Sequence, residues 1–344
     1  MSEDGSISLQ GSKASWDGKL VAYRLSKNSA DTASLHVRDV DSGKDLPDVI
    51  EGARYAWPQW TPDNEGFYYT ALPTDPEIPP SELPGYAEIR FHRIGTDPKD
   101  DELIYPALRD PKTFLSVQLS RDGRFLLISI SRGFDSHDIY FKDLEKNPDG
   151  GWTTLTEGTK FRAAVDIHQG TFYVTSNDGA PRFRVFAVDP AKPQRDAWQE
   201  IVPESKATLE SASVVGGKLA LDYIDDASSR LEVRELDGSH PRTVKLPGIG
   251  SSTGLMGEPD QDEAYYYFSS YTTPSRIYEM SMSEGSSKLW SEVKIPVDTS
   301  DFEVEQVWYE SKDGTKVPMF VVHRQDIELD GTNPTMLTGY GGFN

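Results

Sequence analysis

The segment "SRDGRFLLISI", residues 120–130, contains the pattern that decides the fold: a polar turn followed by an apolar run. Asp122-Gly123 suits a tight hairpin, because glycine adopts positive φ at little cost. The run at residues 125–128 is continuously apolar, which is typical of a strand covered on both faces. The segment therefore predicts a turn between two antiparallel strands, the second of which is buried.

The same pattern recurs along the chain. The intervals between successive turns are 46, 59, 48, 47 and 45 residues, and a further strand of alternating apolar residues follows each buried one. A period of about 40–50 residues with about four strands per unit is typical of a β-propeller. The longest interval contains a proline-rich stretch, Pro76 to Pro84, which we interpret as a surface loop between two strands of its blade. The six turns are centred on Asp17, Asp63, Asp122, Gly170, Gly217 and Asp262.

The sequence therefore predicts an all-β chain with six visible propeller blades in residues 1–302. The segment from Met1 to Leu9 is interpreted as the tail of a preceding unit, which predicts a first blade upstream of this chain. An alternative all-β fold, a sandwich, would also give many short strands, but it would not give this regular spacing of turns and buried strands.

Composition excludes several classes of function. The 35 basic and 56 acidic residues give a net charge of −21, which disfavours binding to nucleic acid or to an anionic membrane. The absence of cysteine excludes disulfides and thiolate chemistry. No apolar run approaches the roughly 18 residues that span a bilayer. The acidic start "MSEDGSISLQ" is not a signal peptide, but a chain that lacks its true N-terminus would show none in any case; the compartment stays open, with the cytoplasm favoured over the periplasm.

The pattern changes after residue 302. Residues 303–323 predict one hairpin with its turn at Ser311 to Gly314, and the apolar stretch 334–338 predicts a buried strand. The glycine-rich sequence "GYGGFN" at residues 339–344 follows as a loop. A hairpin, a buried strand and a glycine loop open many α/β-hydrolase domains, in which this loop supplies an oxyanion-hole donor. Residues 303–344 are therefore predicted to begin a hydrolase domain.

A propeller followed by "YESKDGTKVPMFVVH" (309–323), "LDGTNP" (329–334) and "GYGGFN" resembles the prolyl oligopeptidase family of serine peptidases over the whole chain. The resemblance implies a monomeric endopeptidase that cleaves short peptides after proline through an acyl-serine, without a cofactor. It implies seven blades that act as a gate and size filter over the active site. The catalytic Ser, Asp and His would lie beyond residue 344, so the chain is expected to be inactive without the remainder of the catalytic domain.

Two site residues follow from the resemblance. Tyr340 matches the family tyrosine that donates a hydrogen bond to the oxyanion, a role that suits a phenol because it is a neutral donor at pH 7. Phe343 matches the phenylalanine that lines the proline-accepting S1 pocket. The alternative is that both aromatic side chains only pack a junction between strand and loop.

Other constellations are weaker. Gly250 to Gly254 fits G-x-S-x-G, but no buried strand precedes it and no helix follows it, so Ser252 is not predicted to be a nucleophile. The histidines lack ligand spacing, so no metal site is predicted. Two other hypotheses stay open: a non-catalytic propeller that binds peptides or proteins, and a propeller glycosidase with an unassigned carboxylate pair. The six histidines are His36, His92, His137, His168, His240 and His323.

Overall fold

The computed structural model describes residues 4–28, 30 and 32–339. These residues belong to two compact units, Met1–Ser205 and Lys206–Asn344. Almost all regular structure in them is β-strand, joined by three single-turn 3-10 helices. Within this described part of the chain, no helix has the length and apolar composition that a bilayer crossing requires. The 3-10 helices are Leu83–Tyr86, Pro98–Asp100 and Arg195–Ala197.

The first unit contains four antiparallel sheets of four strands each, in which sequential strands are neighbours. We call them blades one to four in chain order. Blade one is β1 (Ile7–Ala14), β2 (Leu20–Lys27), β3 (Ser34–Asp39) and β4 (Asp45–Ile50). Blade two is β5 (Gln59–Trp60), β6 (Gly66–Ala71), β7 (Glu88–Arg93) and β8 (Glu102–Tyr105).

Blades three and four repeat this meander. Their strands are longer at the centre of the sheet than at its outer edge. Blade three is β9 (Thr113–Leu119), β10 (Phe125–Arg132), β11 (Ser136–Asp143) and β12 (Thr153–Thr156). Blade four is β13 (Ala163–His168), β14 (Thr171–Ser176), β15 (Arg184–Val188) and β16 (Gln199–Val202).

The second unit contains two further sheets, which we call blades five and six, and one separate hairpin. In blade six the short strands β21 and β22 both pair with β23. Blade five is β17 (Thr208–Val215), β18 (Lys218–Asp225), β19 (Ser228–Arg234) and β20 (Arg242–Thr243). Blade six is β21 (Ser251–Ser252), β22 (Met256–Gly257), β23 (Glu263–Ser269), β24 (Arg276–Ser281) and β25 (Ser287–Glu292). The hairpin is β26 (Phe302–Glu310) and β27 (Lys316–Arg324).

The predicted architecture is confirmed. Each of the six turns lies immediately before, or at the first residue of, the strand that occupies the second position of a sheet, and the loop from Pro76 to Pro84 lies between β6 and β7. One assignment was wrong. Residues 7–9 are not the tail of a preceding unit, because Ile7 and Leu9 pair with Lys27 and Leu25 inside blade one.

Apolar side chains from neighbouring blades form the cores of each unit. Phe125 and Phe141 of blade three meet Phe172 of blade four edge to face, with ring centroids 5.0 and 5.1 Å from that ring. Such pairs contribute beyond the area they bury. In the second unit, Val215 and Leu231 of blade five share a core with Tyr266 of blade six. Faces that are buried between sheets explain why the second strands are almost continuously apolar.

Alanine substitutions of two glycines at equivalent turns, Gly18 and Gly123, would test a packing contact between blades two and three. Gly18 (φ +70°) and Gly123 (φ +75°) are both left-handed, so alanine at either position should destabilise the chain by about 1–2 kcal/mol. A Cβ at Gly18 meets nothing within 4 Å, whereas a Cβ at Gly123 would lie 2.7 Å from the ring of Pro62. We expect Gly123→Ala to cost about 1 kcal/mol more than Gly18→Ala in urea unfolding. Equal costs would contradict this contact.

Candidate functional site

Hydrogen bonds stabilise the turn of the hairpin β26–β27, at residues 311–315. Gly314 has a left-handed φ of +81°, and its N–H donates to the Ser311 carbonyl at 2.9 Å. The Asp313 carboxylate accepts from the Thr315 N–H at 3.0 Å, and this hydrogen bond lowers the pKa of Asp313. Nine residue pairs follow without a register shift, from Glu310–Lys316 to Phe302–Arg324. The sequence therefore fixes which side chains face each other across the hairpin.

One face of the hairpin contacts blades five and six within the second unit. The Phe320 ring lies 5.7 Å from the ring of Tyr271, and the Gln306 side-chain amide donates to the Asp226 carbonyl. A cavity of about 290 Å³ lies beside this contact. Its lining includes Ala227, Ile249, Ser251, Ser269, Tyr271 and Phe320.

The segment after the hairpin differs from the prediction. Residues 325–339 contain no strand, and the side chains of Met336 and Leu337 are 87% and 83% exposed. The prediction of a buried strand at residues 334–338 was therefore wrong for this chain. An apolar strand needs partner strands for its backbone groups and a sheet to cover its side chains, and the described residues supply neither here. Tyr340 and Phe343, the two predicted site residues, lie outside the described residues.

Ser252 is a strand residue in the structure. It pairs with Phe268 of β23, and its N–H donates to the Ser229 hydroxyl at 2.9 Å. The short strand β22 follows it, so the strand–turn–helix geometry of a nucleophile elbow is absent from this described segment. The structure thus gives Ser252 a place in the sheet and no geometry for nucleophilic attack.

A buried charged cluster, which sequence reasoning missed, joins blades one and two. His92 on β7 is fully buried between Asp48, at the end of blade one, and Asp101. Its Nδ1 lies 2.8 Å from Asp101 Oδ1, and its Nε2 lies 3.0 Å from Asp48 Oδ1. The Tyr69 hydroxyl donates to the other Asp101 oxygen at 2.7 Å, and the Gly95 N–H donates to Asp48 at 2.5 Å. We call these groups the His92 cluster.

The cluster favours the charged imidazolium. Burial acts to lower the pKa of His92, but the hydrogen bonds and negative charges of Asp101 and Asp48 outweigh burial and raise this pKa above its usual 6.5. Burial and Asp101 also raise the pKa of Tyr69. No local sequence pattern predicts the cluster, because Asp48 and His92 are 44 residues apart. Its side chains join two blades, and His92, Asp48 and Asp101 are buried from solvent.

The glycosidase hypothesis required a carboxylate pair, one member of which would be a general acid with a raised pKa. Among the described carboxyl groups, Asp222 has such a raised pKa. Burial, followed by the negative charge of Glu210, raises the pKa of Asp222 to about 6. A Cβ at Gly254 would lie 3.3 Å from one of its oxygens. A raised pKa suits a general acid, but Asp222 lines neither the cavity beside the hairpin nor the one beside Arg242.

The fold and the hairpin agree with the sequence profile of one family. The profile of the prolyl oligopeptidase N-terminal β-propeller domain matches residues 1–293, and the chain belongs to this family. A prolyl endopeptidase of Elizabethkingia meningoseptica is 30% identical over 347 residues, which cover 100% of this chain and 48% of that protein. Prolyl oligopeptidase A of Galerina marginata is 29% identical over 371 residues, which cover 100% of this chain and 50% of that protein.

Comparison with solved structures supports the same family. A prolyl endopeptidase from a structural and mechanistic analysis of two such enzymes, which addressed inter-domain dynamics in catalysis and specificity, is 51% identical. It superposes with a TM-score of 0.90 over 95% of this chain and 48% of that chain. Prolyl oligopeptidase B from Galerina marginata, bound to a 25mer macrocyclization substrate, is 24% identical with a TM-score of 0.85 over 96% and 49% of the two chains, and it shows the same fold. The chain thus spans about half the length of these relatives.

Proposed function

We propose that this chain is the propeller part of a prolyl oligopeptidase-type serine endopeptidase that cleaves short peptides after proline. The observation that carries the proposal is the identity of 51% to a solved prolyl endopeptidase over 95% of this chain. The hairpin also supports it, because it occupies residues at which the hydrolase domain is predicted to begin, and the sequence "GYGGFN" follows along the chain.

In this proposal residues 1–302 are the propeller and residues 303–344 begin the α/β-hydrolase domain. Tyr340 donates to the oxyanion, and Phe343 forms a wall of the proline pocket. The remainder of the catalytic domain supplies Ser, Asp and His and covers apolar side chains that this chain leaves exposed. Trp308 and Tyr309 on the hairpin are 46% and 49% exposed, and covering them with a hydrolase sheet would remove apolar surface from water.

The propeller contributes selection by size rather than chemistry. A gate over the active site admits short, flexible peptides and excludes folded proteins, so the whole enzyme would be an endopeptidase for peptides. Acyl transfer to a serine needs an activated hydroxyl and an oxyanion hole, and both are made from protein groups. The proposed reaction therefore requires no cofactor, and the proposed working form is a monomer.

The proposal is tested with a hybrid enzyme, in which this chain replaces the matching part of the 51% identical prolyl endopeptidase. We expect the hybrid to cleave a fluorogenic proline peptide, and the chain of 344 residues to cleave none, because it supplies no triad. The control is the relative's remaining half expressed without this chain. A folded hybrid that is inactive after proline, or inhibitor-sensitive cleavage by the 344-residue chain, would refute the proposal.

A further inference from the structure

We propose that Glu303, Glu305 and His323 form a binding site for a divalent transition-metal ion, which links the two strands of the hairpin. The hairpin register places all three on one face. Glu303 and Glu305 are two apart on β26, and His323 on β27 is the direct cross-strand partner of Glu303. One ligand atom from each residue lies within 4.8 Å of the others. The set is not evident from spacing along the sequence, because Glu305 and His323 are 18 positions apart.

The orientation of His323 is the second observation. Its Nδ1 lies 2.8 Å from the Arg324 carbonyl oxygen. A carbonyl oxygen only accepts, so Nδ1 carries the proton, and in the neutral imidazole Nε2 is left with a lone pair. A histidine that donates one N–H to a carbonyl while its other nitrogen faces acidic groups has the arrangement common among metal ligands.

That Nε2 atom has no hydrogen-bond partner among the described residues, although the His323 side chain is only 9% exposed. It lies 3.3 Å from Glu303 Oε1, in poor geometry for a hydrogen bond. A lone pair that faces a carboxylate oxygen is repelled unless a positive charge lies between them. The three residues therefore present a buried nitrogen and two acidic groups to one point.

The separation of the ligand atoms and the types of donor indicate which metal ion the site would bind. Two ligands of a tetrahedral Zn²⁺ with bonds of about 2.0–2.1 Å are about 3.3 Å apart, which is the separation of His323 Nε2 and Glu303 Oε1. The carboxylate of Glu305 would rotate inward, and it is free to do so because it is exposed. Imidazole with carboxylates suits Zn²⁺ or Mn²⁺ better than Ca²⁺ or Mg²⁺, which prefer oxygen donors only. Glu303 is 43% exposed, so solvent gives the ion an access path.

A proton on Nε2 is the competing occupant, and titration with a metal distinguishes the two. We would measure Zn²⁺ binding to the whole chain by calorimetry in metal-free buffer at slightly alkaline pH. We expect one saturable site, and Glu305→Gln should weaken it at least about tenfold, since even partners behind the ligands are worth 10–100-fold. Glu305 is exposed, so the glutamine variant should fold, and far-UV circular dichroism checks that it does.

His240→Ala is the matched control, because His240 is an exposed histidine whose Nδ1 contacts only the Ser239 hydroxyl among its described hydrogen bonds. It should leave Zn²⁺ binding unchanged, whereas His323→Ala should abolish it. Co²⁺ in place of Zn²⁺ should give visible absorption that His323→Ala removes. The proposal is overturned if binding is not saturable, if His240→Ala weakens it as much as Glu305→Gln does, or if both site variants bind Zn²⁺ like the unmodified chain.

Discussion

Replacing His92 with alanine is expected to lower the free energy of unfolding by about 3–5 kcal/mol. The side chain is fully buried and ion-paired on both nitrogens, to Asp48 and to Asp101. Without it, two buried carboxylates would lose their common positive partner. Asp48 would keep only the Gly95 N–H, and its second oxygen already has no hydrogen-bond partner among the described residues. Asp101 would keep the Tyr69 hydroxyl. Urea unfolding of both proteins measures the difference.

His240→Ala serves as the control here too, since an exposed histidine outside any ion pair of the described residues should change stability by less than about 0.5 kcal/mol. If His92→Ala also costs less than about 1 kcal/mol, then the cluster does not hold the two blades together. A loss of that small size would mean that the carboxylates take up protons or water at little cost.

The pH dependence of the stability toward urea gives a second measure of the contribution of His92. Because the pKa of His92 is raised in the folded chain, its contribution to stability is fully present below its usual value of 6.5. That contribution is lost as the pH rises through the folded value. The urea midpoint should therefore fall as the pH rises above about 6.5, and this component of the fall should be absent from His92→Gln. An identical pH profile for the two proteins would mean that His92 is neutral when folded.

The blade pattern was predictable because it is local. Asp122-Gly123 fixes a turn, and the apolar run after it must be covered on both faces, so one blade can be recognised without knowing its neighbours. The hairpin is equally local, and once Ser311 to Gly314 is the turn, the pairing of Glu303 with His323 follows by counting. The proposed metal site thus rests on a pairing that can be counted from the sequence, although Glu303 and His323 are distant along the chain.

What could not be predicted depends on partners far away in the chain. The burial of His92 between Asp48 and Asp101 exists only after two blades pack, and an isolated histidine on an alternating strand carries no sign of it. The prediction of a buried strand at Met336 and Leu337 was wrong because the expected neighbours are missing from the described residues. The composition of this stretch indicates a buried strand, but burial is supplied by other strands, and the described residues hold none beside it.

Tyr340→Phe in the hybrid enzyme is expected to lower kcat by about 10²–10³-fold with little change in KM. The proposed hydroxyl donates to an oxygen that gains its negative charge only in the transition state, so its removal leaves ground-state binding of the peptide intact. Phenylalanine keeps the aromatic ring and removes only the hydroxyl. Single-turnover and steady-state assays on one proline peptide give the two constants.

Tyr271→Phe is the matched control, because Tyr271 follows β23 of blade six, has no proposed catalytic role and is 70% exposed. It should leave kcat unchanged within about twofold, since surface substitutions seldom exceed about 0.5 kcal/mol. An equal loss in both variants would indicate damage to the loop rather than a missing oxyanion donor. A rise in KM at constant kcat would assign Tyr340 to peptide binding, because an interaction made equally in the ground state and the transition state changes only KM.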